Sequence, residues 1–193
     1  MPRVLMLAVL ALALLASGCD GSSDESPAEE SASTTRPTPP PARTIGEWRQ
    51  RLLERFLVGM DRSLEKVNAL TNPQARFYVY SGNPETLRVL ETAFGRLIAC
   101  SERLRRVGDP PAGRRSLRRA YRSLQRACPQ YERLGRILRE GVPLLSSEDA
   151  GERARAGRVL RQAGQPSRLA ATHYRRALTI LADAGIVKGY DVG

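Results

Sequence analysis

The sequence predicts an all-α protein whose main domain is an antiparallel, four-helix-bundle-like structure over residues 43–193. Apolar residues recur at three- and four-residue intervals along most of that range, which is the period of an amphipathic helix. Alternation of apolar and polar residues is not sustained, β-branched residues are few, and Ala, Leu, Arg and Glu dominate. Short connections between four helical patterns favour antiparallel neighbours in a bundle. A solenoid is the alternative, although no motif recurs at a fixed period.

The first predicted helix begins at Thr44, which forms a capping-box pattern with Glu47 three residues later. One row of apolar residues forms its buried face, namely Leu53, Leu57, Met60, Leu64 and Val67, flanked by Trp48, Leu52 and Phe56. Asn72-Pro73 breaks or restarts the helix. The aromatic segment Phe77-Tyr78-Val79-Tyr80 is predicted to lie on a short helix and to pack over the end of the core. A lid or a partner-docking patch is the alternative for this segment.

The second predicted helix begins at Asn83-Pro84, a cap followed by proline at the first helical position. Its apolar face comprises Leu90, Ala93, Leu97, Cys100 and Leu104. The segment Gly108-Asp109-Pro110-Pro111 ends this helix. The third helix carries a face with the same spacing, which comprises Leu117, Tyr121, Leu124, Cys128, Tyr131 and Leu138.

The last helical pattern is predicted to begin at Ser147, which is followed by two acidic residues. Its small and apolar residues keep one register, through Ala156, Leu160, Ala163, Ser167, Ala170, Tyr174, Ala177 and Leu181. Because that register continues through Gln165-Pro166, the pattern predicts either one kinked helix or two collinear helices.

The N-terminus carries an export signal. Arg3 precedes thirteen consecutive apolar residues, Val4 to Ala16, a run that is too short to span a bilayer but suits a signal peptide. The following Leu15-Ala16-Ser17-Gly18-Cys19 resembles the lipobox of bacterial lipoprotein precursors. The resemblance implies that residues 1–18 are removed and that Cys19 is acylated. We therefore expect the protein on the extracytoplasmic face of the bacterial cell membrane, held by a lipid anchor; an ordinary secretory signal is the alternative.

A polar linker is predicted to follow the lipidated cysteine, over residues 19–42. Ser, Thr, Pro, Ala, Gly and acidic residues fill it, so almost no apolar area is available to offset the entropy of ordering. As a disordered coil the linker would span roughly 25–30 Å between the membrane and the domain.

Charge is divided unequally between the linker and the domain. The chain has a formal net charge of +11, yet the linker carries five acids against Arg36 alone. The basic residues are concentrated in the domain, and all of them except Lys66 and Lys188 are arginine. A basic surface favours anionic lipids or wall polymers as partners, and envelope proteins are a further candidate. We expect no nucleic-acid partner, because the leader exports the chain and no nucleic-acid module is recognisable.

Four arginines make a stripe on the third helix and form a candidate anion-binding face, namely Arg115, Arg119, Arg122 and Arg126. Arg103, Arg105 and Arg106 are expected to join them near the turn between the second and third helices. The alternative is that the stripe is simply the solvated side of an amphipathic helix.

Cys100 and Cys128 are predicted to form a disulfide, because both lie on apolar faces and the compartment is oxidising. A symmetric hairpin turning near Asp109 would instead place Cys128 about 15 Å from the level of Cys100. The bond therefore requires the third helix to extend beyond the end of the second, or the connecting loop to run along the bundle axis before the third helix begins. Two free buried thiols are the alternative.

The sequence contains no recognisable catalytic, metal or cofactor motif. His173 is the only histidine, and neither paired Glu-x-x-His segments nor a G-x-S-x-G element occurs. We therefore expect no enzymatic activity and no cofactor, and a non-enzymatic binding or scaffolding module of the cell envelope. The alternative is a carrier that holds an apolar small molecule in the core, around Met60, Phe94, Tyr121 and Tyr174.

Overall fold

The computed structural model describes residues 44–187, and all regular secondary structure in that range is helical. The elements are α1 (Ile45–Leu52), a π-helical segment (Leu53–Leu57), α2 (Val58–Ala69), α3 (Pro73–Tyr80), α4 (Pro84–Ile98), α5 (Cys100–Val107), α6 (Arg115–Gly141), a 3₁₀ turn (Pro143–Ser146), α7 (Ala150–Arg161) and α8 (Gly164–Asp183). The predicted all-α class is confirmed. The predicted leader, Cys19 and the linker lie outside the described residues.

Four long helical rods form the bundle: α1 to α2, α4 to α5, α6, and α8. Their antiparallel course follows from contacts between residues far apart in the chain. At one end, the indole nitrogen of Trp48 on α1 donates a hydrogen bond to Gly108 O after α5, at 3.1 Å. At the other end, the turn at Gly82 contacts Ser146 of the 3₁₀ turn. We call these the α1 end and the α3 end. The four-helix-bundle prediction is confirmed.

Side chains cap the starts of four described helices, α1, α3, α4 and α7, and the caps Thr44 and Asn83 are as predicted. Thr44 Oγ1 accepts a hydrogen bond from Glu47 N at 3.1 Å, and Asn72 and Asn83 cap α3 and α4 in the same manner. The predicted start of the last helical region at Ser147 is wrong by a few residues. Asp149 caps α7 instead, because its carboxylate accepts a hydrogen bond from Gly151 N at 2.6 Å.

The first rod contains a π-helical segment that the sequence analysis did not predict. Before it, Trp48 and Leu52 are buried, whereas the predicted face residues Leu53 and Leu64 are only half-buried. The extra residue of a π turn rotates the helix relative to its neighbours. The segment thereby brings two apolar rows, which are offset by one residue, onto the same side of the rod.

The apolar faces predicted for the second and third helices are buried. In the last helical pattern, the row predicted from Ala156 to Leu181 is also buried, except for Ser167, which is half-buried. The second helix is interrupted at Ala99, which separates α4 from α5. The last pattern forms two helices, α7 and α8, and the break lies at Gln162 and Ala163, before the predicted proline.

The predicted disulfide between Cys100 and Cys128 is confirmed. Their Cα atoms are 5.1 Å apart and both residues are completely buried. With Cys100 level with Cys128, the end of α5 lies level with about residue 121, so α6 begins about 9 Å beyond it. The segment Gly108–Arg114 covers that distance, and this overhang resolves the conflict with a symmetric hairpin.

Candidate functional site

The predicted stripe of four arginines lies on the exposed side of α6. Arg115, Arg119, Arg122 and Arg126 are all exposed. Their spacing of four, three and four residues places them within one narrow sector of the helix. The buried residues Leu117, Tyr121 and Leu124 occupy the opposite side. We call these four arginines the arginine face.

The arginine face has no carboxylate partner within residues 44–187. The ion pairs of that range lie elsewhere, at Arg51–Glu47, Arg106–Glu102, Arg139–Glu91 and Arg155–Glu140. The helix α6 contains only two acidic residues, both in its C-terminal half. One of them, Glu132, accepts a hydrogen bond from Ser101 N, and the other, Glu140, pairs with Arg155. The positive charge of the arginine face is therefore not compensated by described side chains.

The basic surface extends beyond the four predicted residues. Arg133 is exposed and lies on the same sector, because 18 residues make five complete turns from Arg115. The repeated seven-residue step from Arg119 through Arg126 to Arg133 could have revealed it. The expected contribution of Arg103 is wrong, because its side chain is half-buried beside Gly59 and its Nε is shielded from solvent without a hydrogen-bond partner.

The N-terminal half of the arginine face lies at the α1 end. Trp48 of α1 packs edge-on against Tyr121 of α6, with ring centroids 6.4 Å apart. The hydroxyl of Tyr121 donates a hydrogen bond to Leu104 O at 3.3 Å. Burial, and then the charge of Asp109, raise the pKa of Tyr121 to about 12. These contacts fix the start of α6 against α1 and α5, so Arg115 and Arg119 lie at the same end of the bundle as Thr44, the first described residue.

The other candidate residues do not converge on a reactive site. His173 is half-buried on α8, next to Tyr174. Among the residues that the structure describes, no group of three or more His, Cys, Asp or Glu side chains is placed to hold a metal ion. The four residues proposed to surround a core ligand, Met60, Phe94, Tyr121 and Tyr174, are all buried in the hydrophobic core.

The aromatic segment on α3 does not pack as the sequence predicted. Only Val79 is buried, with 1% of its surface exposed, whereas Phe77 is 66% exposed and Tyr80 is 54% exposed. The helix α3 is eight residues long and presents one side to the 3₁₀ turn and α4. Three neighbouring aromatic rings cannot all face that side, so Val79 occupies it and the rings project outward.

No helix within the described part of the chain is long and apolar enough to cross a membrane. Comparison of the chain with protein-family models, with curated proteins and with solved structures gives no match.

Proposed function

We propose that this protein is a membrane-anchored extracytoplasmic lipoprotein that binds, without enzymatic activity, an anionic partner through its arginine face. The observation that carries the proposal is that Arg115, Arg119, Arg122 and Arg126 are exposed on one side of α6 and lack carboxylate partners among the described residues. Arginine forms paired hydrogen bonds with phosphate groups, which makes it suited to such a surface.

Anionic lipid is the partner that the position of the face favours. The face begins at the α1 end, where the predicted linker joins the domain and leads back to the predicted anchor at Cys19. Each arginine close to an anionic membrane surface contributes about 1 kcal/mol, so four contribute roughly 4 kcal/mol at moderate salt. The anchor would add to this by keeping the domain concentrated near the membrane.

The anchor is tested by the chemistry of residue 19. Mass spectrometry of the protein from cells should find Cys19 as an acylated first residue. Changing Cys19→Ala should release the protein from the membrane fraction. An unprocessed and unacylated N-terminus in cells would contradict the predicted anchor.

The arginine face is tested by flotation with vesicles that contain phosphatidylglycerol, compared with vesicles of phosphatidylcholine alone. The full chain with Cys19→Ala avoids binding through acyl chains, and the phosphatidylcholine vesicles report any binding through the leader. The test variant replaces the four arginines of the face by glutamine. The control variant makes the same change at four exposed arginines on α7 and α8, namely Arg158, Arg161, Arg168 and Arg176.

The test variant should lose most of the preference for anionic vesicles, whereas the control variant should keep it. The preference should also fall as salt increases, because exposed charges are screened beyond about 8 Å at physiological ionic strength. If both variants lost the preference for anionic vesicles to the same extent, the net charge of the protein alone would explain the binding, and the proposal would be contradicted. Binding to purified wall polymer but not to vesicles would assign the face to a different ligand.

A further inference from the structure

A groove on the surface of the bundle lies between α2 and α4, away from the arginine face. Its volume is about 480 Å³. It is lined by residues of only these two helices, namely Arg62, Ser63, Glu65, Lys66, Val89, Thr92, Ala93 and Arg96. This volume falls within the range of small-molecule sites, about 300–1,000 Å³.

Small side chains where the two helices meet leave the space open. Ser63 and Ala93 are 1% and 3% exposed, so they form the floor of the groove. The hydroxyl of Ser63 donates to Gly59 O at 2.9 Å, and the hydroxyl of Thr92 donates to Arg88 O at 3.0 Å. Both hydroxyls thus donate to carbonyl groups of their own helices. The two side chains are small and occupy little of the groove.

The walls of the groove carry three positive charges and one negative charge. Arg62 and Lys66 come from α2, and Arg96 comes from α4. None of the three cations forms an ion pair with a carboxylate in the part of the chain that the structure describes, although Glu65 lines the same groove. Arg62 and Lys66 are four residues apart on one helix, where like charges repel each other. An anion between them would relieve this repulsion.

The groove also has an apolar portion. Val89 is 43% exposed and lines the groove on α4. Because α2 and α4 run in opposite directions, Arg62 and Arg96 lie toward the α1 end, and Val89 lies toward the α3 end. Lys66 is one turn beyond Arg62 on α2 and therefore lies near the level of Val89, so its long side chain has to extend back toward Arg62 to meet the same anion. A ligand with an anionic group at one end and an apolar group at the other would match this order.

We propose that the groove between α2 and α4 binds the phosphate or carboxylate group of a small amphiphilic ligand, with Arg62, Lys66 and Arg96 on the anionic group and Val89 on the apolar portion. The groove holds a head group and a short apolar segment, not a polymer. The head group of a lipid and a free phosphorylated compound share the chemistry that this site would recognise. The proposal is independent of the arginine face, which lies on a different helix.

Calorimetric titration of the full chain with two probes tests the proposal. The probes are inorganic phosphate and a water-soluble phosphatidic acid with two six-carbon chains. We expect both to bind. The variant with Arg62→Gln, Lys66→Gln and Arg96→Gln should weaken binding of the phosphatidic acid by at least about tenfold, because it removes all three charged donors to the phosphate group. The matched control, Arg158→Gln with Arg161→Gln and Arg168→Gln at exposed positions of α7 and α8, should leave this affinity unchanged.

A second variant, Val89→Ser, distinguishes the two sources of ligand. If the ligand is a lipid, phosphatidic acid should bind more tightly than phosphate, and Val89→Ser should remove that difference. If the two probes bind alike and Val89→Ser changes neither affinity, the groove recognises a free phosphorylated compound by its phosphate alone, and the assignment of Val89 to an apolar portion is wrong. Absence of binding by both probes, or equal weakening in the control variant on α7 and α8, would overturn the proposal. The single variant Arg62→Gln, at an exposed position, guards against a folding defect in the triple variant.

Discussion

The hydroxyl of Tyr174 on α8 donates a hydrogen bond of 2.8 Å to Asp61 Oδ1 on α2, 113 residues away in the chain. This bond joins the first and last rods of the bundle, whose direct packing is slight compared with that of α6 against α8. Tyr131 on α6 packs edge-on against Tyr174, with ring centroids 5.8 Å apart. Asp61 and the two tyrosines therefore connect three of the four rods, α2 to α8 through a partly buried hydrogen bond and α6 to α8 through an aromatic contact.

Replacing Tyr174→Phe should lower the free energy of unfolding by about 1–2 kcal/mol, because it removes a partly buried hydrogen bond to a carboxylate. Urea denaturation of the full chain measures the change. The control is Tyr80→Phe, whose ring is exposed on α3 and which should alter stability by less than about 0.5 kcal/mol. Equal effects of the two changes would show that the bond to Asp61 contributes nothing.

Stability should fall at alkaline pH because of buried tyrosines. Burial, and then the charge of Asp61, raise the pKa of Tyr131 well above its ordinary value, although Arg175 acts in the opposite direction. The pKa of Tyr121 is raised to about 12. Folding thus favours the protonated phenols, whereas unfolded tyrosine ionises near pH 10. Their contribution to stability is complete below about pH 10 and is lost as pH rises toward and beyond 12.

Urea denaturation at a series of pH values checks this dependence. Tyr131→Phe should make the decline above about pH 10 less steep, because this position no longer releases a proton on unfolding. An unchanged slope would contradict the assignment to Tyr131.

Reduction of the disulfide should destabilise the bundle. The bond joins cysteines separated by 28 positions, and closing a loop of that size contributes on the order of 3 kcal/mol. Urea denaturation with and without a reductant should therefore give clearly different midpoints. The variant with Cys100→Ala and Cys128→Ala should not respond to the reductant. Identical curves for the native chain under the two conditions would contradict a stabilising bond.

Helix starts and buried faces could be predicted from the sequence because they depend on local signals. Asn72 and Asn83 cap their helices through short side chains, and the apolar rows on the second and third helices repeat at the helical period. The π-helical segment was not predicted because the buried face was taken to be one apolar row that includes Leu53 and Leu57. Two rows that differ by one residue were visible in the sequence, beginning at Trp48 and at Leu57, and their offset is the signal of a π turn.

The arginine face was predictable for the same reason, since the spacing from Arg115 to Arg126 alone places four side chains on one side of a helix. The ion pair between Arg106 and Glu102 was also predictable, because the two residues are four positions apart on one helix. The groove between α2 and α4 had no such signal. It depends on which face of one rod meets which face of another, and hence on the rotation that the π segment introduces and on the small side chains of Ser63 and Ala93.

Two glycines within helices should respond in opposite ways to replacement by alanine. A Cβ at Gly135 on α6 would lie 3.0 Å from Phe94 O and 2.9 Å from Ile98 Cγ1, so α4 and α6 would have to separate. Gly135→Ala should therefore cost about 1–3 kcal/mol. A Cβ at Gly95 on α4 meets nothing within 4 Å, so Gly95→Ala should stabilise the chain by about 0.5–1 kcal/mol. Thermal or urea denaturation of the two variants checks the contrast, and stabilisation by both would contradict the close approach of α4 and α6.

The exposed rings of α3 should contribute little to the stability of the bundle. Phe77→Ser should change the free energy of unfolding by less than about 0.5 kcal/mol, since the ring already faces water. The neighbouring Val79→Ala should cost about 1–2 kcal/mol, because Val79 is the residue of this segment that packs in the core. Urea denaturation of the two single variants measures both values. If Phe77→Ser destabilised the chain as much as Val79→Ala, the ring would have to be packed in solution, as the sequence pattern first predicted.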